Sequence, residues 1–121
     1  MSIRTSRVAS LIKEEIGEIL TREYSSAPYG FTTVTDVTVT GDLRIAKVYF
    51  SVMGTPEVQR KTMERLEGER GHIRGIVGSH LRMRFVPELQ FFHDTTMDRV
   101  DRINTLIREI HRKDDEPKQT Q

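Results

Sequence analysis

PEVQRKTMERLEGERGHIRGIVGSHL, residues 56–81, decides how this chain folds. Val58, Met63 and Leu66 suggest a helical pattern that breaks at Gly68-Glu69-Arg70-Gly71 and resumes with Ile73, Ile76, Val77, His80 and Leu81. The spacing predicts two helices separated by a short break. Thr55-Pro56-Glu57 starts the first of them. Thr55 can cap, and Pro56 fits the first helical position, where its missing N–H costs nothing. Gly75 and Gly78 lower the propensity of the second helix, which points to close packing against a neighbour. His80 falls near the apolar face and reads as a structural histidine.

Upstream, residues 33–52 read as a β-hairpin. TTVTDVTVT is rich in β-branched residues, Gly41-Asp42 supplies the turn, and LRIAKVYFSV alternates. Ala46, Val48, Phe50 and Val52 point one way, Lys47, Tyr49 and Ser51 the other. Residues 6–21 predict an amphipathic helix on Val8, Leu11, Ile12, Ile16, Ile19 and Leu20. A loop over 22–32 follows, in which Tyr24, Tyr29 and Phe31 either stack on bases or pin the loop to the core. Downstream, a third strand centres on 88–92, started by Pro87, with 83–86 also extended. Thr95 can cap a last helix carrying the stripe Met97, Val100, Ile103, Leu106, Ile107 and Ile110, and the tail from Lys113 is polar. The expected order is α-β-β-α-break-α-β-α, a small α+β domain with a three-stranded sheet covered by helices.

With 121 residues, the chain has the size of one domain, and 36% hydrophobic residues are enough for a core. There is no cysteine, so disulfides, thiol catalysis and cysteine metal sites are excluded. No apolar run approaches the roughly 20 residues of a membrane span, and MSIRTSRVASLIKEE lacks the apolar block of a signal peptide. The expectation is a cytoplasmic protein. The net charge of +1 hides a gradient: residues 60–84 carry seven basic and three acidic side chains, while both flanks are slightly acidic.

Catalytic patterns are missing. The histidines at 72, 80, 93 and 111 have no metal-ligand spacing, and neither a phosphate-binding loop nor a nucleophile elbow is present. Asp42 serves the hairpin turn, and Asp94 shapes the start of the last helix. The strongest local signal is the Gly68-Glu69-Arg70-Gly71 break inside the basic segment, near Arg65, Arg70, Arg74, Arg82 and Arg84. A GxxG loop between helices lets the backbone approach single-stranded nucleic acid, and arginine offers phosphate a planar fork of donors. The same glycines can equally form a purely structural kink. Arg4, Arg7 and Lys13, on the early turns of the first helix, oppose the helix macrodipole, and either solubilise it or meet phosphate.

Three blocks together resemble the bacterial ribosome-binding factor A family over roughly residues 3–110. They are Arg4-Thr5-Ser6-Arg7-Val8 with Leu11-Ile12-Lys13-Glu14-Glu15, then 42–52 (DLRIAKVYFSV), then 71–74 (GHIR) with 81–94 (LRMRFVPELQFFHD). The resemblance implies a type II KH-like fold with an extra C-terminal helix. Typical members carry an alanine-x-glycine kink between the helices. Glu69-Arg70-Gly71 stands there in this chain, glutamate replacing alanine. It also implies a non-enzymatic assembly factor, without cofactor or metal. Such a factor binds 16S rRNA on the free small (30S) subunit during late maturation, is linked to a maturation GTPase, and supports growth in the cold.

The expected RNA contacts are Arg4, Arg7, Lys13, Arg70, Arg74, Arg82 and Arg84, with Arg44 and Lys47 as weaker members and Gly68, Glu69, Arg70 and Gly71 as the interhelical kink. The domain is expected over 1–112, with a flexible tail over 113–121, acting as a monomer away from membranes. The alternative is an adaptor module that docks a protein partner on the C-terminal apolar helix without touching RNA.

Overall fold

Strands β1 (Thr32–Val39) and β2 (Ile45–Val52) pair antiparallel across the turn at Gly41-Asp42. The Leu43 N–H closes that turn on the Thr40 carbonyl at 2.8 Å. The Asp42 carboxylate accepts from the Thr40 hydroxyl at 2.7 Å and from the Arg44 N–H at 3.1 Å. Residues 3–24, 30–96, 104, 106–108 and 110 are described by this computed structural model.

Strict alternation in β2 buries Ala46, Val48, Phe50 and Val52, as expected. In β1 the buried residues are Val34, Val37 and Val39, a spacing that a regular strand cannot place on one face. A shift in register between Val34 and Asp36 inserts Thr35 as an extra residue and restores the phase. The Thr35 hydroxyl then reaches the Tyr49 carbonyl at 3.2 Å and the Asp94 carboxylate at 2.7 Å. A third strand, β3 (Glu88–His93), adds to the free side of β2 in parallel, giving the order β1-β2-β3.

Three helices cover one face of the sheet: α1 (Ile3–Glu23), α2 (Pro56–Gly68) and α3 (Arg70–Leu81). Helix α1 rests on β1 and α3, and α3 reaches β3. Between them lie Ile12, Ile16 and Ile19 of α1, Leu66 of α2, Ile73 and Val77 of α3, and Val48, Phe50 and Leu89 of the sheet, all fully buried. Phe50 and Phe91 meet edge to face at 4.9 Å. The opposite face carries Lys47 and a stacked Tyr49–Phe92 pair at 5.3 Å. Thr55 caps α2 by accepting from the Val58 N–H at 3.2 Å. The element order α-β-β-α-α-β is the type II KH-like, α+β architecture that the resemblance implies.

Two details differ from the sequence reading. Helix α1 runs further, through Arg22 and Glu23. Of the two roles expected for Tyr24, the structure shows the core one, since it is 2% exposed. Residues 83–86 are not extended: the chain reverses at Arg82, which takes φ 51°, and bends again at Arg84 and Phe85. Helical structure resumes at Thr96, whose N–H is met by the Asp94 carboxylate at 2.9 Å, as expected of a residue that shapes the start of the last helix, while the N–H groups that Thr95 would cap lie outside the described residues. Of the expected last helix, Asn104, Leu106, Ile107, Arg108 and Ile110 are described and helical, while Met97, Val100 and Ile103 of its stripe, Tyr29 and the tail over 113–121 lie outside the described residues.

Gly78 and Gly75 should respond oppositely to alanine. A Cβ at Gly78 collides with the Val86 side chain, whereas one at Gly75 meets nothing. We expect Gly78→Ala to lose about 1–3 kcal/mol and Gly75→Ala to gain up to about 1 kcal/mol, both read from urea unfolding.

Asp94 is a second test. Hydrogen bonds from the Thr96 side chain, the Thr35 hydroxyl and the Thr96 N–H lower its pKa to about 2. A depressed carboxyl stabilises the fold above the unfolded pKa near 4 and loses that contribution as pH falls towards 2. Asp94→Ala should therefore cost about 1–2 kcal/mol at neutral pH, with the difference from the parent shrinking between pH 4 and 2 in a pH series of unfolding curves.

Candidate nucleic-acid interface

The break between α2 and α3 is one residue wide. Glu69 leaves helical geometry at φ −106° and ψ 13°, its N–H shared by the Arg65 and Leu66 carbonyls at 3.1 Å each. Gly68 and Gly71 flank it with open space where a Cβ would sit. The kink itself is therefore formed by a glutamate. Its carboxylate does not cap α3. One oxygen accepts from the Tyr24 hydroxyl, and the other pairs with the Arg65 guanidinium at 2.7 Å. Tyr24 follows directly on α1, so this contact ties the start of α3 to the end of α1. Two further pairs join these helices: His80 to Glu15 and His72 to Glu23, the latter at 3.5 Å.

At the other end of α3 the chain turns back through Arg82, and the Met83 N–H reaches the Gly78 carbonyl at 3.2 Å. Val86 seats its side chain against Gly78. Arg74 braces the segment from below, donating from Nε to the Pro87 carbonyl at 3.2 Å and from Nη2 to the Val86 carbonyl at 2.7 Å. Arg84 and Phe85 project from the crest, the Phe85 ring 80% exposed and the Arg84 guanidinium 5.5 Å from its centre.

This crest separates two grooves. One, about 760 Å³, is lined by Arg4 of α1, Arg44 of the hairpin, Arg74 of α3 and Arg84, together with Asp42, Glu88 and Phe85. The other runs along Gly71, Gly75, Gly78 and Ser79 of α3 and shares Arg74, Arg84 and Phe85. Four of the nine expected RNA contacts thus meet around one groove, although Arg4 and Arg84 stand near opposite ends of the domain's sequence. Asp42 and Glu88 offset the four arginines only in part. Hydrogen bonds from the Thr40 hydroxyl and the Arg44 N–H lower the Asp42 pKa, and Asp42 lies 3.9 Å from Arg44 in an exposed pair. Such a pair is weak and easily exchanged for phosphate.

The other expected contacts are dispersed. Arg7 is exposed on α1, one turn beyond Arg4. Lys13 lines a separate groove with Phe31 and Thr33. Lys47 lies exposed on the outer sheet face. Arg70 pairs with Glu67 at 2.7 Å at the kink. Arg82 is exposed at the left-handed cap. Phe85 was hidden in the sequence because RFVPEL reads as one extended run. Its signal was an aromatic residue set between arginine and Val-Pro in the basic segment. Among the described residues, no cluster of three or more acidic or histidine side chains is arranged to hold a metal ion, and no described helix is long and apolar enough to cross a membrane.

Arg74 should prove a brace and Arg84 a free contact. Arg74→Ala removes donors from two carbonyls and should cost about 1–2 kcal/mol, whereas Arg84→Ala should stay within about 0.5 kcal/mol of the parent, as measured by urea unfolding.

Comparison with known proteins agrees with this architecture. The family model for ribosome-binding factor A matches residues 4–107. A ribosome-binding factor A of Chlorobium phaeobacteroides is 46% identical over 117 residues, covering 93% of this chain and 98% of the relative. The crystal structure of ribosome-binding factor A from Thermus thermophilus superimposes with a TM-score of 0.62 at 20% identity, covering 74% of this chain and 94% of that one. A homology model of the Thermus thermophilus factor, fitted into a cryo-electron-microscopy map of a 30S complex, gives a TM-score of 0.58 at 20% identity, covering 78% of this chain and 96% of that one. With the match spanning the sheet, the kinked helix pair and the arginine groove, this chain belongs to the ribosome-binding factor A family.

Proposed function

We propose that this protein binds 16S rRNA on the free small (30S) ribosomal subunit during late maturation and acts as a non-enzymatic assembly factor. The observation that carries this reading is the meeting of Arg4, Arg44 and Arg84, from separate elements, around one groove whose wall Arg74 braces. Guanidinium groups so spaced can grip phosphates on more than one strand segment, and so select a folded RNA shape rather than a sequence. A near-neutral chain with one focused basic groove gains little from bulk attraction. It discriminates by where the phosphates lie. Affinity that is higher for one rRNA conformation than another shifts the population toward that conformation without bond chemistry.

The family and the 30S complex of the Thermus relative support the partner. In this reading the protein works in the cytoplasm as a monomer, needs no cofactor, contributes to growth in the cold, and leaves the subunit when a maturation GTPase acts. A second reading, a protein-docking adaptor, draws on the exposed Leu106, Ile107 and Ile110 of the last helix. Salt separates the two, because phosphate contacts release counterions and apolar docking does not.

The test is cosedimentation with free 30S subunits over a salt series. Replacing Arg4, Arg44 and Arg84 together by glutamine should weaken binding about tenfold or more and lower the slope of log affinity against log salt by about 2. Unchanged affinity and slope in that folded variant would remove the groove from the interface.

A further inference from the structure

We infer that Phe85 is a stacking platform for an unpaired RNA base, so that the groove beside it takes a nucleotide splayed out of a helix rather than an intact duplex. The inference rests on the ribosomal RNA reading above and names the chemical form of RNA that the groove accepts.

Phe85 is the most exposed aromatic ring among the described residues, at 80%, against 69% for Phe31 and 39% for Phe92. Leaving a phenylalanine ring in water forfeits the gain of burying it. Nor is the ring on a slack loop. The reversal at Arg82, the seat of Val86 on Gly78, and the two bonds from Arg74 to the Val86 and Pro87 carbonyls fix the backbone on both sides of it. An aromatic ring held out on a braced crest has already lost most of the freedom that binding would otherwise cost.

Its surroundings choose the ligand. The Arg84 guanidinium sits 5.5 Å from the ring centre, and Arg4 lines the groove beside it. A flat apolar surface rimmed by guanidinium groups suits a planar base with its own phosphates. It suits an apolar protein surface poorly, because the arginines would have to be desolvated without partners. Bases inside a duplex hide their faces in the stack, so only an unpaired base can lie on the ring. Arg84 then meets the phosphate flanking that base, and the open side of α3 at Gly71 and Gly75 leaves room for the sugar.

The test compares Phe85→Trp, Phe85→Leu and Phe85→Ala for affinity to purified free 30S subunits, at fixed salt, alongside the parent. The exposed position keeps all three folded. Stacking predicts that Trp matches or exceeds the parent, while Leu and Ala both weaken binding about tenfold or more. Leu binding as tightly as the parent would overturn the inference, since an aliphatic residue cannot stack. The arginine variants decide the underlying reading separately: their loss with Leu unaffected would keep the RNA groove and reject the platform. A parent that fails to bind 30S subunits at all would reject both.

Discussion

Parallel pairing of β2 with β3 is the constraint on which the rest of this structure depends. Two parallel neighbours cannot be joined by a turn, so the chain must leave the far end of β2 and return to its near end. The return is made by residues 53–87, most of them helical. A straight helix over 56–81 would run about 39 Å, whereas β2, with eight residues, spans about 26 Å. The crossover therefore has to bend, and it bends at Glu69. The groove follows from that bend, which sets where α3 begins, which face it turns to α1, and where its end delivers Arg82 to Pro87.

The bend is held by polar contacts, one of them to the distant Tyr24, and not by glycine freedom. The Glu69 carboxylate gives up capping α3 in order to bind Tyr24 and Arg65, which locks the kink to α1. At the other end, Arg74 commits its guanidinium to two carbonyls. The basic segment is thus divided in its work. Arg65 and Arg74 hold the scaffold and Arg70 pairs only locally with Glu67, while Arg84, joined by Arg4 and Arg44 from distant parts of the chain, faces the groove. A cluster of positive charge in sequence has become two populations in space, one structural and one open to phosphate.

Much of the fold was legible. The alternation in 45–52, the Thr55-Pro56 start, the turn at Gly41-Asp42 and the break near Gly68 each rest on contacts within a few residues, and each appears where its pattern placed it. The bulge at Thr35 was also written in the chain, since Val34, Val37 and Val39 demand a change of phase, but it is recognised only when the core face is known. The reversal at Arg82 left no such mark. Left-handed caps usually signal themselves by glycine, and here an arginine takes that conformation, so 83–86 read as strand. For the site, the segment was legible and the membership was not. Lys13, Lys47 and Arg70 share the charge of the groove residues but stand elsewhere.

The sequence by itself determined the elements, the core faces and the location of the basic segment, because periodicity, capping and turn chemistry act over a few residues. Tertiary structure alone decided which arginines are braces and which are free, and that Phe85 stands out in water beside them. Those outcomes depend on partners far along the chain: the Gly78 backbone that seats Val86, the carbonyls that occupy Arg74, and the helix α1 and hairpin that bring Arg4 and Arg44 alongside Arg84. A side chain's type sets what it can bind, but only packing sets what has already bound it.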